Sequence, residues 1–306
     1  MLALRHGDQN ARGFIVVAVL WILAALSALV LIYLSYVTNT AVVVAVATDR
    51  VQSDALATAG VELAAYQLTA VRQEARPSSG TFNARIGAAR VAVTFRSEAA
   101  RIDLNAAPKA LLAGLIMGLG GAPANAADYA DRIMAWRAPT EAGEDDPETS
   151  SYRTAGIAYA PRHAPFPQAE ELWLVRGIPP AVVERMLPFV TAFSNMGTIN
   201  IADAAPQVVA ALPGMTPERL QAVLSQRGDP RLDPRSLVAM AGGEAATLAA
   251  SRAYRMMIVI DFDSGRRSAA EVVILLLDEG DEPYRVLSWR NAADGSTAPQ
   301  RTMKSR

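Results

Sequence analysis

Residues 14–37 form an uninterrupted apolar run that opens on Phe14 and stops just before Thr38-Asn39-Thr40. About 20 apolar residues cross a bilayer as a helix. The helix is favoured there because lipid offers no partner for backbone N–H and C=O groups, which must pair within the segment. Arg5 and Arg12 lie on the N-terminal side of the run, and such cations stay on the cytoplasmic side. The sequence therefore predicts a single-pass membrane protein whose bulk lies across the inner membrane.

The remaining composition narrows what that bulk can do. A chain of 306 residues allows one or two domains beyond the anchor, and 51% apolar residues leave enough for a packed core. Lys+Arg number 29 against 30 Asp+Glu, a net charge of −1 that argues against a polyelectrolyte partner. With no cysteine, disulfides and thiolate metal sites are excluded. His6 precedes the apolar run, so His163 is the one imidazole left for the exported part. It lies between Arg162 and Ala164 in a Pro-rich stretch and reads as a surface side chain. Without a Gly-rich phosphate loop, a paired-His motif or a nucleophile elbow, the sequence gives no ground for an enzyme.

The junction Arg12-Gly13-Phe14 admits three readings. One is a plain uncleaved anchor. Another is a removable export signal, with Ala25-Leu26-Ser27 as its small-residue cleavage site, although the apolar run passes through it unbroken. The third is a class III leader of the type IV pilin superfamily, residues 1–13, cut after Gly13 on the cytoplasmic side. Only this last reading explains why Gly directly precedes the start of the run.

Beyond the run the chain has no Pro and a single Gly, Gly60, across residues 42–71. Leu56, Ala59, Leu63, Tyr66 and Ala70 recur at three- and four-residue spacing, predicting one apolar helical face. Pro77-Ser78-Ser79-Gly80 should end that helix. One helix is thus expected over 14–76, lipid-embedded over 14–37 and periplasmic over 38–76. Gly13-Phe14 followed by this two-part helix resembles a type IV pilin or a type II secretion pseudopilin. Those proteins usually carry Glu at the fifth mature position, which here is Ala18. In the family that carboxylate neutralises the N-terminal amine of the neighbouring subunit, and a buried unpaired ammonium is costly. A subunit without it fits only where no protomer lies ahead, at the tip. In this respect the chain resembles the general secretion pathway protein K (GspK) family of minor pseudopilins.

Two blocks of alternating residues predict a sheet, 77–97 and 253–290. The first holds strands 81–86 and 89–96 around Gly87. The second holds 254–262, 270–277 and 284–290, with Asp263-Ser264-Gly265 as a turn. Residues 98–252 between them read as a helical insertion, and 291–306 as a disordered tail. The fold class expected is α+β, a type IV pilin-like long N-terminal helix packed on an antiparallel sheet, with a large inserted all-α domain. This layout also resembles the protein K family.

The insertion repeats itself. Asp103-Leu104-Asn105-Ala106-Ala107-Pro108 and Asn200-Ile201-Ala202-Asp203-Ala204-Ala205-Pro206 each lead into apolar helices that finish on Arg, Arg137 and Arg227. A looser copy runs from Glu170 through Arg176-Gly177-Ile178-Pro179-Pro180. Asn or Asp can cap a following helix, and Gly permits the tight turn between two. These units resemble SAM-like or helix-hairpin-helix modules. Such hairpins often bind DNA phosphates, with Gly214 and Arg219 as the candidates here. Low cationic density favours packing units instead, because the phosphate contribution to binding needs clustered Lys and Arg.

Glu141, Glu144, Asp145, Asp146 and Glu148 crowd one loop, and carboxylate oxygens are the ligands Ca²⁺ prefers. No strict EF-hand pattern is present, and the ion is implied by resemblance, since protein K relatives hold calcium in this domain. Asp145 and Asp146 are then first candidates. The resemblance further implies cleavage after Gly13 by a prepilin peptidase and methylation of the Phe14 amine. It also implies a tip position on a pseudopilus beneath the outer-membrane secretin, in support of the export of folded proteins. The partners it implies are minor pseudopilins of the I and J type, the major pseudopilin fibre and the inner-membrane assembly platform. The alternative is a competence or type IV pilus minor pseudopilin with a DNA-binding head.

Overall fold

The computed structural model describes residues 9–140, 146–229 and 233–292, with 9–15 and 37–47 as backbone alone. The chain divides into two compact units, Met1–Leu56 and Ala57–Arg306. Helix α1, Gln9–Thr69, runs through the first unit and into the second. In the first unit, Val16–Tyr36 is uncharged, apolar and unburied, and long enough to span a membrane. Its Ser35 hydroxyl donates to the Ile32 carbonyl at 2.8 Å, so the polar group is satisfied within the helix.

The second unit begins with the last turns of α1. Hairpin strands β1, Ser79–Ile86, and β2, Ala89–Ser97, follow, then the two-residue strand β3, Ile102–Asp103. Next come α2, Lys109–Gly118, α3, Pro123–Arg137, α4, Pro147–Thr154, and α5, Pro180–Met186. Short strands β4, Val190–Thr191, and β5, Ile199–Asn200, lead to α6, Pro206–Ala210, α7, Pro217–Gln226, and α8, Pro234–Met240. After β6, Ala246–Thr247, the chain returns to long strands β7, Ala253–Phe262, β8, Arg267–Leu276, and β9, Tyr284–Ala292.

The long strands make one antiparallel sheet in the order β1-β2-β7-β8-β9. Strand β2 pairs with β7 across the entire insertion. One face of this pair presents Val91 opposite Ile260, Val93 opposite Ile258 and Phe95 opposite Met256, all buried. Helix α1 covers it with Ala57, Gly60, Val61, Ala64, Ala65 and Leu68. A Cβ on Gly60 would lie 3.2 Å from Val93 Cγ2 and 3.3 Å from Val91 Cγ1 and Ile258 Cγ2, so glycine sets how closely helix and sheet approach.

This face differs from the expected one. Leu63 and Tyr66 are 38% and 73% exposed, Ala70 is exposed too, and Ala59 is half-buried. Periodicity weighted the largest side chains, whereas close packing on a sheet selected the small ones. The helix also ends sooner than residue 76, at Thr69, with a 3₁₀ turn at Gln73–Ala75. Arg76 accounts for the stop. Its Nε donates to the carbonyls of Leu68 at 3.0 Å and Val71 at 3.2 Å, occupying acceptors that a continuing helix would have used.

The other expectations move by a few residues. Strand β9 continues through Asn291 and Ala292, which had been assigned to the tail, and residues 293–306 lie outside the described ones. The insertion is not all-α: β3 pairs with β4 and β5 with β6, both parallel. Segment 170–174 is a 3₁₀ helix, Ala169–Leu174.

Candidate functional site

Three regions hold the residues singled out by sequence. Gly13, Phe14 and Ala18 all fall within α1, Ala18 one turn beyond Phe14 and partly exposed. The preceding residues 1–8 lie outside the described ones. The backbone at 13 and 14 is helical.

The acidic segment is built around Asp146. This residue N-caps α4, its Oδ1 accepting from Glu148 N at 3.2 Å and its Oδ2 from Thr149 N at 2.8 Å. Oδ2 also lies 3.0 Å from His163 Nε2. Burial alone would raise the Asp146 carboxyl. The Thr149 side chain and N–H, the Glu148 N–H and the His163 charge outweigh it, and the group sits below its ordinary value. His163 is not the surface side chain expected, being only 18% exposed. Its N–H donates to Trp136 O at 2.8 Å, and Nδ1 lies 3.1 Å from Ala138 O. A carbonyl only accepts, so Nδ1 carries a proton. Nε2 then meets the Thr149 hydroxyl at 3.0 Å. The histidine thus ties the end of α3 to the start of α4, a structural clasp that its Tyr- and Pro-rich surroundings concealed.

Of the five acidic candidates, Asp146 and Glu148 are described, and Glu141, Glu144 and Asp145 lie outside the described residues. Among the described residues no three His, Asp or Glu side chains gather as a metal site. Glu148 Oε1 is nevertheless buried without a hydrogen-bond partner among them.

Gly214 and Arg219 are brought together. Gly214 has φ of +71°, the left-handed region that favours glycine. Thr216 caps α7, and Arg219 Nη1 donates to Gly214 O at 3.0 Å and Nε to Met240 O at 3.2 Å. The cation braces its own hairpin against α8. At Gly177, φ is +81° and a Cβ would lie 2.8 Å from the Arg132 guanidinium carbon, so that hairpin too is closed by an internal arginine.

Sequence reasoning noted Arg137 and Arg227 only as helix ends. Arg137 donates from Nη1 to Leu104 O and from Nη2 to Ala107 O at 2.8 Å, and Arg227 from Nη1 to Ala204 O at 2.7 Å. Each thus returns to the turn that opens its own module. The signal was the recurrence of Arg after the same motif.

Comparison with known proteins agrees with this architecture. Residues 93–195 match the family model for type II secretion system (T2SS), protein K. That span runs from the middle of β2 past β4 and contains the clasp. No curated protein matches the chain by sequence. Among solved structures, the fold is similar to a chain in the crystal structure of the GspK-GspI-GspJ complex from the enterotoxigenic Escherichia coli type 2 secretion system. The TM-score is 0.57 at 17% identity, covering 79% of this chain and 95% of that one. At that identity the likeness concerns the fold. The family match over residues 93–195 and the shared fold together support a minor pseudopilin of the GspK type.

Proposed function

We propose that this chain is a GspK-type minor pseudopilin at the tip of a type II secretion pseudopilus, where it initiates or caps assembly. The observation that carries this reading is the pairing of an apolar run that opens directly after Gly13 with Ala18 in place of the usual Glu, in a chain whose residues 93–195 match protein K. Without a carboxylate at 18, the subunit cannot neutralise the amine of a protomer ahead of it, and an unpaired buried ammonium there would cost about 3–5 kcal/mol, as breaking a buried ion pair does. The tip requires no such contact.

In this reading a prepilin peptidase cuts after Gly13 and Phe14 becomes the methylated N-terminus. Minor pseudopilins of the I and J type are its direct partners, by analogy with the complex in which the similar chain was solved. The inserted hairpins serve as packing modules of SAM-like type. Arg219, turned onto the carbonyls of Gly214 and Met240, argues against a DNA-binding head. Calcium at the acidic segment fits one observation, the unpartnered Glu148 Oε1 beside Asp146, with Glu141, Glu144 and Asp145 adjacent in sequence. The carboxylates would hold the ion by oxygen ligation and tie the loop to α4.

The test is coexpression with cognate I- and J-type pseudopilins and the peptidase. A mature chain beginning at Phe14 that copurifies with both partners is expected, and Gly13→Ala should leave the longer precursor and impair secretion. An N-terminus near Ala28, or normal secretion by Gly13→Ala, refutes the processing step. Failure to copurify refutes the tip complex. Calorimetric titration with Ca²⁺ decides the ion separately.

A further inference from the structure

On the sheet face away from residues 57–69, two neighbouring cavities of about 250 and 260 Å³ lie against the inserted segment. Both are lined by Arg101, Arg255 and Glu271. Arg255 already has its acceptors. Its Nε and Nη2 donate to Glu98 at 2.8 and 3.1 Å, and its Nη1 to Glu271 at 2.5 Å. Glu98, 1% exposed, also accepts from the Thr191 hydroxyl. Arg96 stands directly opposite Arg255 in the β2–β7 register, placing a second cation on the same face.

Arg101 is different. Its backbone N–H donates to Glu98 O, but among the described residues its guanidinium makes neither a hydrogen bond nor an ion pair. It is partly buried all the same. Burial and then the Arg255 charge pull its pKa below the ordinary value, with Glu98 and Glu271 pulling the other way. A guanidinium offers five donors in a planar fork, and here they open onto the cavities rather than onto a protein acceptor.

Charge counting specifies what would meet them. The first cavity sets Arg96, Arg101 and Arg255 against Glu98 and Glu271, a surplus of one positive charge. In the second, Arg101, Arg255 and Arg290 face Glu170 and Glu271, again a surplus of one. One carboxylate balances that surplus and matches the fork bidentately. A dianion such as phosphate would overcompensate beside two fixed carboxylates. Phe189, Val208 and Met257 on the wall of the first cavity suit an apolar stem.

We propose that Arg101 anchors a monocarboxylate with a short apolar stem in these cavities, either a free small acid or the terminal carboxylate of a peptide. The test uses the full chain in detergent micelles and isothermal titration. N-acetylleucine should bind, and N-acetylleucinamide should bind about tenfold or more weakly. Arg101→Gln should lose about tenfold or more of the acid's affinity, and Arg101→Lys should fall between, because it keeps the charge without the fork. A short peptide ending in a free leucine carboxylate separates the sources: binding assigns the site to chain ends, and exclusion assigns it to free acids. Equal binding of acid and amide, tighter binding of inorganic phosphate, undiminished binding by a folded Arg101→Gln, or no binding by the wild type would each overturn the proposal. The comparison of acid with amide on the wild type stands even if the variants do not fold.

Discussion

Asp103 and Asn200 hold the same place in two copies of one folding unit. Each ends a two-residue strand, and each side-chain Oδ1 accepts the N–H two residues on, Asn105 at 2.7 Å and Ala202 at 3.0 Å. Each carbonyl accepts the N–H four residues on, Ala107 at 2.8 Å and Ala204 at 3.0 Å. The next residues, Leu104 and Ile201, donate to Thr191 and Thr247 on the paired strands at 2.8 and 3.0 Å. Asp103 Oδ1 also accepts the Ala106 N–H at 3.2 Å, and the larger difference lies at the second oxygen or nitrogen. Asp103 Oδ2 receives the Ser194 hydroxyl and Asn195 N–H at 2.9 and 2.7 Å, whereas Asn200 Nδ2 donates to the carbonyls of Leu248 and Ala249 at 3.0 and 3.1 Å.

The choice of acid or amide therefore follows the partners, and exchanging them should be asymmetric. Both positions are fully buried. Asn200→Asp turns a carboxylate towards two carbonyl oxygens and should cost about 3–5 kcal/mol, as an uncompensated buried charge does. Asp103→Asn loses one acceptor while the Ser194 hydroxyl can reverse, so about 1–3 kcal/mol is expected. Denaturant unfolding of the two variants checks the order, and equal losses would contradict the assigned partners.

The returning arginines should also differ. Arg137 satisfies the carbonyls of Leu104 and Ala107, while Arg227 satisfies that of Ala204 alone and leaves Nε and Nη2 buried without partners among the described residues. Burial pulls both guanidinium groups below their ordinary pKa. Removing Arg137 orphans two acceptors, each worth about 1–3 kcal/mol. Removing Arg227 orphans one and also relieves two unmet donors. Arg137→Ala is thus expected to lower the melting temperature more than Arg227→Ala, and the reverse order would overturn the comparison.

Much of this architecture could be read from the chain. The apolar run, the five long strands and the repeat of Asp/Asn-led motifs all carry local signals, because period 2 and turn residues act over short spans. The pairing of Ile102-Asp103 with Val190-Thr191 could not be seen, since two residues show no period and the partner lies far along the chain. The buried face of α1 was misjudged because Ala57, Ala64 and Ala65 carry little hydrophobic weight yet permit close approach. Gly13, Phe14 and Ala18 were legible from position alone, whereas Arg101 was not, because its isolation is a property of the packed sheet face.

A pair of glycines on α2 separates close packing from helix propensity. A Cβ on Gly114 would lie 2.3 Å from Ala211 O, just after α6, and a backbone oxygen cannot swing aside. Gly114→Ala should cost about 1–3 kcal/mol or more through overpacking. Gly118 has nothing within 4 Å of the same position, so Gly118→Ala should be neutral or stabilise by up to about 1 kcal/mol. Thermal unfolding of the two proteins side by side is sufficient, and a destabilising Gly118→Ala with a neutral Gly114→Ala would refute the α2–α6 contact.

The buried Glu98 makes stability depend on acid. Burial alone would raise its pKa, but Arg255 by charge and hydrogen bonds, with Arg101 and Thr191, outweighs this and holds it below the ordinary 4.5. A carboxyl depressed in the folded state contributes stability above its unfolded value, and that contribution fades as pH falls through the lower folded value. Stability should therefore be level from neutrality to about pH 4.5 as far as Glu98 is concerned, and decline below it. Glu98→Gln should be less stable at neutral pH by about 3 kcal/mol or more, because Arg255 keeps only Glu271 as an anionic partner. Its acid decline should be shallower but not abolished, since Asp146, also held below its ordinary value, remains. Unfolding midpoints across this pH range distinguish the cases: parallel curves for wild type and Glu98→Gln would show that the Glu98–Arg255 pair does not set the acid limb.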